Sequence, residues 1–443
     1  MKTILVVNPW IYDFAAYDLW MKPWGLLKII SILKSSGHRV FFVDAMDRHH
    51  SAMPEKVKDK PDGTGKFFSE EVEKPPLLKD IPRKYKRYGL SPDLFSKALP
   101  DEDIDLILVS SGMTYWYPGV FEAVRMLKEK YKSPVVLGGT YATLRYEHAL
   151  SNSGADYVVK NGELDRISEI LGGRCDLSFR NILEAPSDIS FYSQNPYAVL
   201  RISLGCPFKC SYCAQQFLSP SFMCKSIAGA VSEIRELYEK GIRNFAFYDD
   251  ALLFDNSYVT EFFNRVIDEG INANFYSPNG LHVRFLNERT AFLLKKLNFI
   301  DPMLSLETSD DKKGRIWHDK VTRNEFERAV RNLNRAGYKK GEYTAYLMLG
   351  VPGSSFEDIQ ESVEFVNSLG CKVSLSEFSP VPGTILADKV TLEKTDPQKT
   401  DPLLENNTVF SLLSPYRNER AQELKNNTKI LNTVLSKQGR FSI

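Results

Sequence analysis

Short apolar runs alternate with amphipathic helical stretches in two long blocks of this 443-residue chain, and that alternation limits the fold most. Strand, helix and strand in succession imply an α/β protein with a parallel sheet, because parallel strands are joined only through a crossover. In the first block residues 4–7 are a continuous apolar run ended by Asn8-Pro9. Residues 25–36 carry a helical stripe of Leu26, Leu27, Ile29, Ile30 and Leu33 stopped by Gly37, and residues 40–43 form a second short strand. Strands recur at 105–110, 135–137 and 157–159, with a helix at 120–130. The pattern predicts a doubly wound parallel sheet over residues 1–171, with ligands over the carboxyl ends of its strands. Residues 46–100 interrupt it with Lys, Glu, Asp, Pro and a Pro75-Pro76 pair. They read as a charged insertion, either partly disordered or wrapped over the domain surface. Residues 172–196, Gly-rich and polar, read as a linker.

The second block, residues 197–385, repeats the unit six times, with strands at 199–204, 244–248, 273–277, 303–307, 344–349 and 372–377. Eight units would close a barrel; six leave a partial (β/α)6 barrel. After Pro382-Gly383-Thr384 the chain turns polar. In the C-terminal extension, 386–443, Leu424, Leu431, Val434 and Leu435 form a stripe for a helix docking on the barrel. The formal net charge of +1 gives no footprint for nucleic acid or an anionic membrane. No apolar run approaches the ~20 residues of a membrane span. The opening MKTILVVNPW reads as a buried strand, not a signal peptide, and a cytoplasmic location is expected.

Three of the six cysteines fall in GCPFKCSYCA, directly after the first strand of the second block: Cys206, Cys210 and Cys213. Thiolates suit iron–sulfur clusters or zinc. A structural zinc site wants four closed ligands, whereas three cysteines on a four-iron cluster leave one iron open. Completion of a four-thiolate site by Cys224 is the alternative. Cys175 and Cys371 lie far off in sequence and read as small buried hydrophobes.

With this spacing the chain resembles the radical S-adenosylmethionine (radical SAM) enzymes, whose signature is CxxxCxxC after the first strand of a six-unit partial barrel. The resemblance extends through Tyr248-Asp249-Asp250, SPNGLHVRFL, SLETS, LGVPGSSFED and FSPVPGT, in order, over about residues 195–385. It implies a [4Fe-4S] cluster on the three cysteines, and S-adenosylmethionine contacted by Phe208, Tyr212, Asp249, Asp250, Asn279 and Glu307. Each has a simpler reading. Asp249 and Asp250 cap the next helix, and Asn279 turns the chain with Gly280. Glu307 shares a strand face with Met303 and Ser305 and, if buried, needs a partner. His282 and His318 have no ligand-like spacing and read as structural.

Residues 1–171 resemble the Rossmann-like, cobalamin-binding-type domain that precedes the barrel in one subgroup of that family. The resemblance rests on ILVVNPW, KPWGLL, SGHRVFFVDA, LILVSSGMT, VVLGGTYAT and Gly162-Glu163. It implies that Ser110, Ser111, Gly138, Gly139 and Thr140 line the cobalamin tail. The loop after the first strand, NPWIYDF, has no histidine, so no protein histidine is expected beneath cobalt. Asp47-Arg48-His49-His50-Ser51-Ala52 mimics the missing motif but follows the wrong strand. The function implied is reductive cleavage of S-adenosylmethionine to a 5′-deoxyadenosyl radical, with cobalamin-dependent methylation of an unactivated carbon. Cobalamin-independent radical rearrangement, cyclisation or C–C bond formation is an alternative. A non-catalytic sensor or scaffold holding cluster and corrinoid is another. A methylthiotransferase is disfavoured, since the N-terminal segment lacks a second cysteine triad. A small-molecule or biosynthetic-intermediate substrate and an electron donor such as flavodoxin or ferredoxin are the implied partners.

Overall fold

The computed structural model describes residues 1–53, 57–219, 221–317, 321–390, 400–413 and 420–441; His318 lies outside them. Two units divide the chain. The first is Met1–Ala198 with Phe217–Pro220 and Thr395–Asn406, and the second is Val199–Gln216 with Ser221–Lys394 and Asn407–Ile443.

In the first unit five strands form one sheet: β1 (Thr3–Asn8), β2 (Arg39–Asp44), β3 (Leu106–Val109), β4 (Val135–Leu137) and β5 (Tyr157–Val158). All are parallel, in the order β2-β1-β3-β4-β5. Their near-continuous apolar sequences follow from burial on both faces. Leu5, Val7, Ile107, Val109, Val135 and Leu137 pack under α2 (Tyr117–Lys130) through Val120, Ala123, Val124 and Leu127. The alternate residues Ile4, Val6, Leu106, Leu108 and Val136 pack on α1 (Trp24–Ser35) through Leu26, Ile29, Ile30 and Leu33. The order reverses between β1 and β3, which places a crevice at their carboxyl ends.

Two expectations are corrected in this unit, and a third, which left two alternatives, is narrowed to one. Residues 172–196 are not a free linker. They carry α3 (Phe179–Glu184) and put Cys175, Leu177 and Ile182 into the core on the α1 side. The described part of the 46–100 insertion is ordered and wrapped on the domain. Lys86–Tyr88 pairs antiparallel with both Ile11–Asp13 and Ser69–Glu71, and Leu78, Ile81, Tyr85 and Phe95 are buried. One of its charges is held inside. Arg48, 4% exposed, pairs with Asp18 at 2.6 Å and Asp59 at 2.8 Å and donates to the Gly63 carbonyl at 2.8 Å. Finally, the C-terminal extension does not all belong with the barrel. Pro402–Glu405 joins the first unit, where Glu405 pairs with Arg145 and Asn406 donates to Asp13 at 2.9 Å.

The second unit holds β6 (Ala198–Leu200), β7 (Ser203–Leu204), β8 (Met223–Cys224), β9 (Asn244–Phe247), β10 (Asn274–Tyr276), β11 (Leu281–His282), β12 (Met303–Glu307), β13 (Thr344–Leu349) and β14 (Lys372–Glu377). Strands β6, β9 and β10 are neighbours in one sheet, and β11 to β14 follow in order in another. A bridge from Phe275 to Phe299 continues the sequence between the two. Stacked rings of Phe245, Phe247, Phe275 and Phe299 fill part of the interior. The first expected strand, 199–204, is broken into β6 and β7. The short β11, which the sequence pattern does not anticipate, pairs with β12. The C-terminal helix α4 (Ala421–Phe441) buries Leu424, but Leu431 and Val434 are 42% and 47% exposed, so the expected stripe is incomplete. It is held by polar contacts instead. Asn432 accepts from Val373 N at 2.9 Å and donates to Val373 O at 2.7 Å, and Lys425 pairs with Glu377 at 2.6 Å.

Removing Arg48 leaves Asp18 and Asp59 without their guanidinium. Arg48→Ala is expected to destabilise the first unit by about 3 kcal/mol, the usual cost of breaking a buried pair from one side. Urea unfolding followed by circular dichroism measures this, and a loss below about 1 kcal/mol would show that the pairing is not what holds the insertion.

Candidate functional site

The cysteine loop leaves β7 through Gly205, at φ 80°, and ends at Gln215, where the short helix Gln215–Leu218 begins. Cys210 is buried, and Cys206 and Cys213 are partly exposed. Cys213 N donates to Cys210 O at 3.0 Å, a tight turn that brings these two positions close. Leu386 N, at the short helix Ile385–Lys389, donates to Ser211 O at 2.9 Å and ties the middle of the loop to the sixth strand's exit. Among the described residues no group of three or more His, Cys, Asp or Glu is arranged to hold a metal ion. Cys224 lies on β8, opposite Ser203.

Asp249 and Asp250 follow β9. Asp249 is 3% exposed, and its Oδ1 accepts from Ile202 N at 3.0 Å, Ser203 N at 2.6 Å and Ser203 Oγ at 2.6 Å. Its Oδ2 is buried with no hydrogen-bond partner. Burial pushes this carboxyl up to about 7, against the pull of Ser203 and Arg201. Asp250 Oδ2 accepts from Gln215 Nε2 at 2.8 Å, Gly205 N at 3.2 Å and Arg201 Nη1 at 3.2 Å. Burial raises its carboxyl as well, and Arg201 opposes the shift. Neither carboxylate caps the next helix; that role falls to Asp255, which accepts from Tyr258 N. Asn279 donates to Tyr248 O at 2.9 Å, so it links the ends of two strands as well as turning beside Gly280.

Tyr212 packs with Trp317, Val351, Phe378 and Leu386. Burial holds its hydroxyl well above the usual range, helped by the nearby Glu307, Cys210 and Cys213. Glu307 sits at φ 70°, in the left-handed region that costs a non-glycine residue energy. The register between β12 and β13 slips between Ser305 and Glu307, which breaks the alternation expected to place Met303, Ser305 and Glu307 on one face. Tyr346, pushed up to about 12 by burial and by the same carboxylate, stands near it and donates to Pro278 O at 2.7 Å. Phe208 stacks on His282 with centroids 4.5 Å apart and lies 5.9 Å from Phe285. His282 is thus a wall of the loop, which its isolated position in the sequence did not signal. Gln215 and Arg201 were missed for the same reason.

In the first unit Asn8, at the end of β1, donates to Asp44 at 2.7 Å and accepts from Ser110 Oγ at 3.1 Å. Ser111 Oγ donates to Gly138 O at 2.6 Å and accepts from Ala142 N at 3.2 Å, while Ser111 O takes Thr140 N at 2.9 Å. The five expected tail-lining residues are therefore brought together, with Ser111 engaged by the fold itself. Gly139, at φ 96°, presses on Ser111, whereas a Cβ on Gly138 would meet only Val159 O at 3.7 Å. The loop after β1 carries no imidazole. His49 is not adrift beside a mobile segment; its Nε2 lies 3.1 Å from Asp59 Oδ1.

A doubly wound parallel sheet in one unit and a partial barrel with three cysteines on the loop after its first strands in the other define an α/β architecture. Residues 200–366 match the Radical SAM superfamily, so the chain carries a radical SAM domain, of a family that uses a [4Fe-4S] cluster and S-adenosylmethionine. Among solved structures, the radical S-adenosylmethionine methyltransferase TsrM from Kitasatospora setae, with tryptophan and a SAM analogue bound, shares the fold. Its TM-score is 0.67 at 12% identity, over 97% of this chain and 89% of that one. The cobalamin-dependent S-adenosylmethionine radical enzyme OxsB gives a TM-score of 0.51 at 12% identity, over 97% and 62%. An uncharacterized methyltransferase of Pyrococcus horikoshii is 22% identical over 43% of this chain and 41% of its own length. The ribosomal protein uS12 methylthiotransferase RimO of Campylobacter jejuni is 24% identical over 51% and 54%. The chain thus spans about half, or less, of the length of these curated relatives.

The two adjacent glycines after β4 make opposite demands. Gly139→Ala is expected to lower the stability of the first unit by about 1–3 kcal/mol through backbone strain, and Gly138→Ala to change it by less than about 0.5 kcal/mol. Denaturant titration of both variants tests this, and equal effects would remove the argument from the left-handed turn.

Proposed function

We propose that this chain uses a [4Fe-4S] cluster, held by Cys206, Cys210 and Cys213, to cleave S-adenosylmethionine reductively and methylate an unactivated carbon of a small-molecule substrate with the help of cobalamin. The observation that carries the reading is the orphaned Oδ2 of Asp249, buried beside the cysteine loop. A buried carboxylate oxygen with no donor wants a cation, and the amino group of S-adenosylmethionine is one. The donor set fits as well: three soft ligands on one loop leave an iron open for an amino and carboxylate chelate. When bound, the cluster supplies the electron that breaks the sulfonium C–S bond, giving methionine and a 5′-deoxyadenosyl radical.

The chain's own residues bind, orient and exclude water. Asp249 holds the amino end through Oδ2. Glu307 and Tyr212, near Cys210 and Cys213, orient the nucleoside portion, and Asn279 ties its turn to the end of β9. Phe208 and His282 form an apolar wall that keeps water from a reactive intermediate. In the first unit Ser110, Gly138 and Thr140 present small groups at the crevice between β1 and β3, where the cobalamin tail would enter. The loop after β1 offers cobalt no histidine. Cobalamin chemistry is supported by the fold shared with TsrM and OxsB; methylthio transfer is disfavoured because Cys175 is the one cysteine before residue 199. The electron would come from a donor such as flavodoxin or ferredoxin in the cytoplasm, and no helix of the described residues is long and apolar enough to cross a membrane.

Anaerobic reconstitution with iron and sulfide, followed by a turnover assay for 5′-deoxyadenosine and a corrinoid absorption spectrum, tests the proposal. Alanine at Cys206, Cys210 or Cys213 should abolish both the brown chromophore and 5′-deoxyadenosine, and Cys224→Ala should keep both. Loss of the cluster in Cys224→Ala would point to a closed four-thiolate site. Glu307→Gln should retain iron yet bind S-adenosylmethionine about tenfold more weakly, ~1.4 kcal/mol. Turnover without corrinoid would turn the reading to a cobalamin-independent radical reaction.

A further inference from the structure

We propose that Asp250 is a positioning residue for the cysteine loop, clamping both of its ends with one carboxylate oxygen, and not a contact to S-adenosylmethionine. The inference rests on the reading of Cys206, Cys210 and Cys213 as the cluster ligands. Gly205 immediately precedes Cys206, and Gln215 follows Cys213 by two residues. Asp250 Oδ2 accepts from the first at 3.2 Å and from the side chain of the second at 2.8 Å, so the whole eight-residue span of the ligands is closed at its neck. Arg201, three residues before β7 ends, adds a third donor to the same atom at 3.2 Å.

The chemistry suits the task. An ionised carboxylate is acceptor-only, so three N–H donors can converge on one oxygen without any of them meeting another donor. Charge-assisted hydrogen bonds are also the stronger ones. The neighbouring Asp249 divides the work. Its Oδ1 secures Ile202 and Ser203 on the strand that feeds the loop, and its Oδ2 stays open, whereas the Oδ2 of Asp250 is already committed to three donors. Two acids in sequence thus face the loop for different purposes. Closing the neck holds the two ends of the ligand loop together before iron arrives, which reduces the ordering that cluster binding must bring about. Outer partners of this kind commonly govern how firmly a metal is kept.

Asp250→Asn and Gln215→Ala test the clamp together, because Gln215 has no place in S-adenosylmethionine binding under either assignment. The full chain is reconstituted anaerobically, and EDTA is used to bleach the cluster. Both variants should bleach about tenfold faster than the unsubstituted protein, the scale typical of lost outer-ligand support. The clusters that remain should still show the unsubstituted change in their electron paramagnetic resonance spectrum when S-adenosylmethionine is added. Unchanged bleaching in both variants, with or without a lower melting temperature, overturns the clamp. Unchanged bleaching in Asp250→Asn with the S-adenosylmethionine-induced change lost returns Asp250 to the cofactor contacts. An unsubstituted protein that takes up no cluster overturns the underlying reading of the loop and the clamp with it, and the control lane distinguishes that result from the others.

Discussion

A parallel ladder stops at the carboxyl ends of its strands, and the backbone N–H groups just beyond must find acceptors elsewhere or remain costly when buried. Both units meet this constraint with side-chain acceptors, and side-chain donors serve the neighbouring carbonyls. In the second unit Asp249 takes Ile202 and Ser203, Asp250 takes Gly205, and Asn279 serves the carbonyls of Tyr248 and Asp249. In the first, Asp44 takes Met46 N and Asn8, while Ser111 serves Ala142 and Gly138. The loops that carry candidate ligands are shaped by these bonds. Acidic side chains at such ends therefore have two masters, the loop backbone and any bound group, and the atoms left over decide which one a given acid serves.

Most of the architecture was legible because its cause is periodic. Continuous apolar runs such as ILVV and LILV read as strands buried on both faces, and the helices between them showed their stripes. The cysteine spacing singled out the loop after β7 as the candidate site. What escaped notice depends on contacts between residues far apart in sequence. No local pattern distinguishes Gln215 from any surface glutamine, yet it meets Asp250 across 35 positions. Charge and proline content left the 46–100 insertion either partly disordered or wrapped on the surface, and the pairing of buried Arg48 with the distant Asp18 is not visible in any local pattern. Residues 172–196 looked like a linker by their glycine and polar content, although Leu177 and Ile182 were enough to fasten them to the core. The Glu307 bulge was equally invisible, since strand alternation assumes the register that it breaks.

One of the strained backbone positions lies at a candidate cofactor contact. Glu307 holds a positive φ at the end of a central strand, where the register also slips. Neighbouring packing has to over-determine such a conformation for it to persist. Leu304 and Leu306, both fully buried, provide that restraint on either side of Ser305.

The Asn432 amide also has a consequence for solubility. β14 ends its sheet, and a terminal strand presents a template on which another chain can polymerise. By matching both the N–H and the C=O of Val373, the carboxamide imitates one rung of an absent seventh strand. A closed barrel abolishes its rim by curling round on itself; here one rung of the last strand is matched instead by a side chain from a helix.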